Sequence, residues 1–199
     1  MPPSRLILPF VCLLLVFAAV ETSAQEGIAV SFSVAANPWA DSRLENKLCY
    51  QLSAITHIPV STGTYRTAAR PEFSELVSWA RRGNNRLLFD IRIDRIYLEK
   101  RKMTLFPELI FRYRLYAVAE GTMRVFDLKR NRLLENVTVT EEIKASDRWQ
   151  AVDDERDDPG LAVPADEKTV LFDHLEEKTA RLLYEKIKKV IRGVRFDEN

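Results

Sequence analysis

The chain has 199 residues, a formal net charge of +1 at pH 7 and 46% hydrophobic residues. The charge balance excludes a global electrostatic attraction to nucleic acid, and the length suits one domain with its own core. Of the two cysteines, Cys12 lies in an N-terminal apolar run and only Cys49 follows it. An internal disulfide is therefore not expected, and core packing must hold the fold.

The first 24 residues have the pattern of a secretory signal peptide. A single positive charge at Arg5 precedes an apolar run from Leu6 to Val20, and small residues follow up to Ala24. The run is too short for a membrane-spanning helix with its flanks, and no later segment is apolar enough to cross a bilayer. We expect cleavage after Ala24, export to the periplasm or secretion, and a single domain over residues 25–199.

A strand and a helix are predicted next. Ile28–Val34 is rich in β-branched residues and alternates, and the pair Asn37-Pro38 stops it. Leucine and isoleucine residues then recur at helical spacing over residues 42–54, which predicts a helix with Asp41 or Ser42 as its cap.

The following segment predicts an edge strand and a second helix. Ile58–Val60 contains Pro59, which cannot donate to a β ladder, so this piece is predicted to lie at a sheet edge and to end before Gly63. Such an edge is a candidate contact surface for partners. Pro71 suits the start of a helix that carries an apolar face up to Ala80.

The middle of the chain predicts an antiparallel meander of three strands. Alternation along residues 86–98 slips near Asp94, which predicts a bulge. Phe111 to Ala117 alternate with Arg112 and Arg114, and Gly121 is predicted to interrupt the strand. On the last strand Leu133 is predicted to share a face with Val137, Val139 and Ile143. Substitution of Phe126 or Leu133 is therefore expected to unfold the domain.

An acidic loop and a long final helix complete the chain. Residues 147–167 are dominated by Asp and Glu with proline and glycine breakers, which predicts a solvated loop. Residues 168–192 carry an apolar stripe at helical spacing. The predicted fold class is α/β, of the two-layer α+β kind. It has a mixed sheet, a C-terminal antiparallel meander, helices on one face and the order β-α-β-α-β-β-β-α.

No arrangement of residues points to catalysis or to a cofactor. His57 and His174 are not spaced for zinc, and the chain has no nucleophile elbow, phosphate loop or C-x-x-C pair. We therefore expect no enzyme activity, cofactor or metal. The acidic loop leaves calcium open as an alternative, although it departs from the EF-hand pattern.

The last helix has a basic end. The cations there are Lys186, Lys188, Lys189, Arg192 and Arg195. They can contact anionic lipids or polymers, or they can complement the helix C-terminal dipole, which is the interpretation we favour from the sequence.

Two segments carry a resemblance to a known family. WARRGNNRLLFDIRI over Trp79–Ile93 and FRYRLYAVAEGTMRVFDLKRNRLLE over Phe111–Glu135 resemble the N-terminal domain of TolB and its envelope relatives CsgG and PelC. The phrase R-V-F-D followed by L-L, here Arg124 to Leu134, is part of that resemblance, which spans about Gly27 to Arg192. The resemblance implies a domain that binds partners and carries no catalytic residue.

We therefore predict a non-enzymatic periplasmic interaction or assembly module in envelope maintenance, secretion or polymer export. Its expected partners are envelope proteins or further copies of the chain. The alternative is a small periplasmic ligand-binding protein or hydrolase with a pocket between sheet and helices. The candidate partner contacts are the aromatic, basic and acidic residues Arg112, Arg114, Trp39, Trp149, Asp153, Asp154, Asp157 and Asp158.

Overall fold

A computed structural model describes residues 25–66, 70–106, 110–150, 159, 162–194 and 196. The expected signal segment lies outside the described residues. The order β-α-β-α-β-β-β-α and the mixed sheet are confirmed. The elements are β1 (Gly27–Val34), α1 (Leu44–Leu52), β2 (Val60–Arg66), α2 (Phe73–Arg82), β3 (Asn85–Phe106), β4 (Ile110–Asp127), β5 (Arg132–Gln150) and α3 (Ala165–Gly193).

The sheet has the strand order β2-β1-β3-β4-β5. β1 is parallel to both of its neighbours, whereas β3, β4 and β5 form the predicted antiparallel meander. Because β1 lies between β2 and β3 and helices cover both of its faces, seven of its eight residues are buried, including Ser31 and Ser33. Buried parallel strands have this near-continuous apolar character.

The three helices do not all lie on one face of the sheet. α1 and α3 pack against Ile28, Val30 and Phe32 of β1, as expected. α2 instead packs against Ala29 of β1 and Leu88 of β3, on the opposite face. Across the sheet, the connection from β1 to β2 runs towards one edge, and the connection from β2 to β3 runs back towards the other. Because both crossovers are right-handed, α1 and α2 lie on opposite faces.

Two buried groups of charged side chains hold the helices in place, one beside α2 and one between α1 and α3. Asp90, whose side chain is 1% exposed, accepts hydrogen bonds at 2.5 Å from Arg70 just before α2 and from Arg124 on β4. The Arg124 guanidinium also lies 4.4 Å from the ring centroid of Phe73 in α2. Removing Asp90 would leave two partly buried cations without their shared partner, which is costly.

The second group joins α1 to α3. Lys47 Nζ lies 2.5 Å from Asp173 Oδ1 and 3.6 Å from Glu176 Oε2. Asn37, just after β1, donates to Glu176 Oε1 at 2.8 Å. Burial raises the pKa of Glu176 despite these partners. The group therefore holds α1, α3 and the chain leaving β1 together.

The predicted bulge in β3 is confirmed, but Gly121 does not interrupt β4. The pairing of β3 with β4 shifts between Ile93 and Arg95, and Gly121 pairs with Ile93 in a strand that continues to Asp127. A Cβ at Gly121 would overlap the carbonyl oxygen of Arg92. The glycine allows the bulged backbone of β3 to approach β4 closely.

The prediction for Leu133 is wrong. Val137 and Val139 belong to the core on the α3 face, as predicted, but Leu133 is 50% exposed and its neighbour Leu134 packs against that core. The pairing of β4 with β5 shifts between Val125 and Phe126. That irregularity moves Leu133 off the predicted face.

Several predicted boundaries also change. The acidic loop is shorter at both ends, because β5 continues to Gln150 and α3 begins at Ala165. β2 begins at Val60 and runs through Gly63 instead of ending before it. Ser42 does not cap α1: the N-cap is Arg43, and the Ser42 hydroxyl bonds Asp173 of α3 at 3.5 Å.

Candidate interaction surface

The sheet has two halves. In the basal half, β1 and β2 lie beside residues 85–93 of β3, and helices cover both faces. Beyond the bulge, β3, β4 and β5 continue without β1 as a three-stranded extension of residues 95–106, 110–120 and 140–150. Over Arg95–Phe106 no described strand pairs with the other side of β3.

The extension is covered by a helix on only one of its faces. Phe172 and Leu175 of α3 pack against Ala117 and Ala119 of β4. On the opposite face, α2 contacts residues of the basal half, and no described helix covers the extension. We call this surface the open face. Its central residues are Tyr97, Arg101, Arg112, Arg114, Tyr116, Lys144 and Asp147.

One carboxylate on the open face gathers three cations. Arg112 donates from Nε and Nη2 to the two oxygens of Asp147 at 2.7 Å each, a two-pronged pairing. Arg114 Nε and Lys144 Nζ each lie 3.5 Å from Asp147 Oδ2. The hydrogen bond from Arg112 lowers the pKa of Asp147 to about 2 and raises the pKa of Arg112 itself. The cluster therefore carries net positive charge at neutral pH.

Arg101, a second arginine of the open face, is held by two carboxylates and by an aromatic ring. Arg101 Nη2 contacts Glu99 Oε2 at 2.7 Å and Glu142 Oε2 at 2.8 Å. Its guanidinium is 4.4 Å from the ring centroid of Tyr116. The hydrogen bond with Glu99 raises the pKa of Arg101 further. These contacts hold a planar cation against an aromatic ring, an arrangement that resists Lys substitution.

Nearer the bulge, Glu120 connects two further residues of the open face. It accepts hydrogen bonds from the Tyr97 hydroxyl at 3.0 Å and from Arg95 Nη2 at 2.6 Å. Desolvation is the main cause that raises the pKa of Tyr97, and the hydrogen bond with Glu120 is the second. The Tyr97 hydroxyl therefore stays protonated. The open face thus presents tyrosine and arginine side chains with restricted freedom. These residue types are enriched at the centres of protein interfaces.

The structure brings some of the predicted contact residues together. Arg112 and Arg114 of β4 lie on the open face. The backbone of Trp149 in β5 pairs with that of Arg112. Trp39 is elsewhere: it lies near Phe172 and Lys168 of α3, with the Lys168 ammonium 4.6 Å from its ring. Asp153, Asp154, Asp157 and Asp158 lie outside the described residues.

Five of the seven central residues of the open face are not singled out by the sequence. Asp147 falls in the predicted acidic loop, and the sequence assigns no role to Tyr97, Arg101, Tyr116 and Lys144. The alternation of Arg112 and Arg114 indicates an exposed row of cations, and a carboxylate on the neighbouring strand is the natural partner for such a row. Asp147 can be identified as that partner only once β5 is known to continue past it.

The predicted sheet edge and the metal alternative have different outcomes. β2 is the outermost strand beside β1, as predicted, although Ile58 just before it is buried. Within the residues that the structure describes, no group of three or more His, Cys, Asp or Glu side chains could hold a metal. Most of the acidic segment considered for calcium lies outside that part. In the same described part, no helix is long and apolar enough to span a membrane.

Comparison with known proteins finds similarity among solved structures only. No protein-family model matches the chain, and no curated protein matches it. Similar structures include PelC and bacterial lipoproteins. A PelC dodecamer from Paraburkholderia phytofirmans is 16% identical, with 78% of this chain and 88% of that chain covered and a TM-score of 0.36.

Two more of these structures are lipoproteins by name. A minor lipoprotein from Acinetobacter baumannii is 14% identical over 80% of this chain and 91% of that chain, with a TM-score of 0.39. Rare lipoprotein B from Shewanella oneidensis is 13% identical over 83% and 97%, with a TM-score of 0.38. Similarities at this level support no inference about function, which must come from the residues.

Proposed function

We propose that this chain is a non-enzymatic interaction or assembly module of the bacterial cell envelope, exported to the periplasm, and that a protein partner docks on its open face. The observation that carries the proposal is a sheet surface without a described helix over it. Arg101, Arg112 and Tyr116 are already oriented there by ion pairs and ring contacts. Side chains ordered in advance lower the entropy cost of binding.

The packing between sheet and helices favours this proposal over the alternative. A ligand-binding protein or hydrolase of this fold would need a pocket with convergent polar groups between these layers. Among the described residues, that interface is filled by apolar side chains with no exposure, such as Val30, Phe89 and Leu183. The described grooves lie at the rim of this interface, where α3 meets β3, β4 and β5 or lies beside α1, and not within the packed layers.

The partner is either another envelope protein or a second copy of the chain. The edge of β3 over Arg95–Phe106 offers backbone groups to an added strand, and the open face lies next to it. The resemblance to TolB N-terminal domains and CsgG-like proteins fits a module that acts through such contacts. The net positive cluster around Asp147 favours a partner surface with acidic residues.

Site-directed photocrosslinking in cells tests the proposal. A benzoylphenylalanine at Tyr116 is expected to yield an adduct of defined mass, and the mass separates a second copy from another protein. The matched control replaces Tyr50, which is 81% exposed on α1 at the other face of the sheet. No adduct at Tyr116, or equal adducts at both positions, would contradict docking on the open face.

A further inference from the structure

One end of the molecule collects cations from separate parts of the chain. α2 and α3 both end there, beside the turn between β4 and β5. Arg81 Nη2 at the end of α2 donates to Asn131 Oδ1 of that turn at 2.8 Å. A groove of about 690 Å³ separates the turn from the last residues of α3. We call this end the basic pole. Its exposed cations include Arg82, Lys129, Arg130, Arg132, Lys189 and Arg192.

Two of the nearby carboxylates are turned inward. Asp127, with a side chain 2% exposed, pairs with Arg86 and accepts hydrogen bonds from the backbone amides of Lys129 and Arg130. Glu26 lies 3.7 Å from Arg86 and 3.5 Å from Lys129. Glu135 lines the groove and is exposed. The described part of the pole therefore presents an excess of positive charge to the surroundings.

Helix dipoles explain only part of this charge. Arg82 and Arg192 occupy the last turns of α2 and α3, where a cation is favoured by the C-terminal carbonyl groups. Lys129, Arg130 and Arg132 follow a strand, in a turn whose backbone Asp127 holds. Dipole compensation, the interpretation favoured for the basic end of α3, does not extend to these three residues.

The chain also enters the fold at this pole. Glu26, which contacts Lys129, is the residue before β1, and the apolar run ends at Val20. The few residues between Val20 and Glu26 can span at most about 20 Å. Until cleavage, an apolar run inserted in the bilayer would therefore hold the basic pole within about 20 Å of the lipid headgroups.

We propose that the basic pole docks on an anionic lipid surface, on the side where the N-terminal apolar run meets the bilayer. Lysine and arginine side chains near an anionic membrane attract it with a strength that grows with their number. The groove between the turn and α3 places cations on both of its walls, so headgroup phosphates can approach Lys129 and Lys189 together.

Vesicle sedimentation of the protein recovered from exporting cells tests the proposal. Binding is expected to vesicles that contain phosphatidylglycerol, at about 0.15 M salt, and not to vesicles of phosphatidylcholine alone. The triple variant Lys129→Gln, Arg130→Gln, Arg132→Gln is expected to bind about a hundredfold more weakly. A control with the same net charge, Arg43→Gln, Lys178→Gln, Arg181→Gln, removes exposed cations elsewhere and is expected to bind within about threefold of the wild type.

Three outcomes would overturn the proposal. They are no binding of the wild type to phosphatidylglycerol vesicles, an equal loss in both triple variants, and full displacement by millimolar inorganic phosphate, which would indicate a free-anion site. Circular dichroism of both variants confirms that they are folded. The pole variant is expected to leave crosslinking at Tyr116 unchanged, so this proposal and docking on the open face can fail separately.

Discussion

Strand β3 passes through two regions that differ in what covers them. In the basal half, Leu87, Phe89 and Ile91 lie under α1 and α3, and Leu88 lies under α2, all with no exposure. In the extension, α3 covers one face and the other carries tyrosines and ion pairs. The comparison shows how cover decides composition along one strand. Burial on both faces favours apolar residues, with the paired Asp90 as an exception, whereas a single covered face leaves alternate positions for polar side chains.

The largest expected effect tests this comparison on β3 itself. Phe89→Ala should lower the free energy of unfolding by about 4 kcal/mol, because it leaves a cavity in a filled core. Tyr97→Ala, in the extension, should cost about 1 kcal/mol through its lost hydrogen bond with Glu120. Urea titration of both variants measures the difference. Equal losses would show that the two regions are equally important for stability.

The second effect concerns the junction between the regions. Gly121→Ala should destabilise the protein by about 3 kcal/mol, because the new methyl group would overlap the backbone of β3 at the bulge. Gly193→Ala is the matched control: nothing lies within 4 Å of its added Cβ, and a change within about 0.5 kcal/mol is expected. Thermal unfolding compares them. A neutral Gly121→Ala would contradict the close approach of the two strands.

The smallest effect concerns the extension and pH. The pKa of Asp147 is about 2, below its ordinary value, because Arg112 stabilises the carboxylate. Its contribution to stability is therefore present above about pH 4, the value for an unfolded chain, and is lost as the pH falls through about 2. Between about pH 4 and pH 2, the urea concentration at the unfolding midpoint should therefore fall less in Asp147→Asn than in the wild type.

A second variant identifies the cause of that pH dependence. Arg112→Ala removes the hydrogen bonds that lower the pKa of Asp147, so it should reduce the same pH dependence while the protein remains folded. An unchanged pH profile in both variants would mean that this ion pair does not contribute to acid sensitivity.

Much of the fold follows from local patterns. Alternation and helical spacing depend on each residue and its near neighbours, which is why the element order, the bulge near Asp94 and the buried stripe of α3 were predicted. The face of α2 was missed because it depends on the handedness of a crossover between distant strands. The exposure of Leu133 was missed because an irregularity in strand pairing leaves no clear mark in one sequence.

The candidate site was only partly visible in the sequence. Arg112 and Arg114 were singled out from their alternation, and both lie on the open face. Their shared partner Asp147, and the stacking of Arg101 on Tyr116, come from neighbouring strands. Cross-strand contacts depend on the pairing register, which the sequence of either strand alone does not define.

The sequence by itself determined that residues 112–135 are extended chain on both sides of a polar turn, with arginines opposite apolar residues. Periodicity depends only on residues that are near one another in the chain, so the sequence alone was enough to predict these features. Only the tertiary structure decided that β4 continues through Gly121, that α3 leaves one face of the extension open, and that the turn of β4 and β5 meets the ends of α2 and α3. These features depend on contacts between residues far apart in the chain, and such contacts form only when the layers pack.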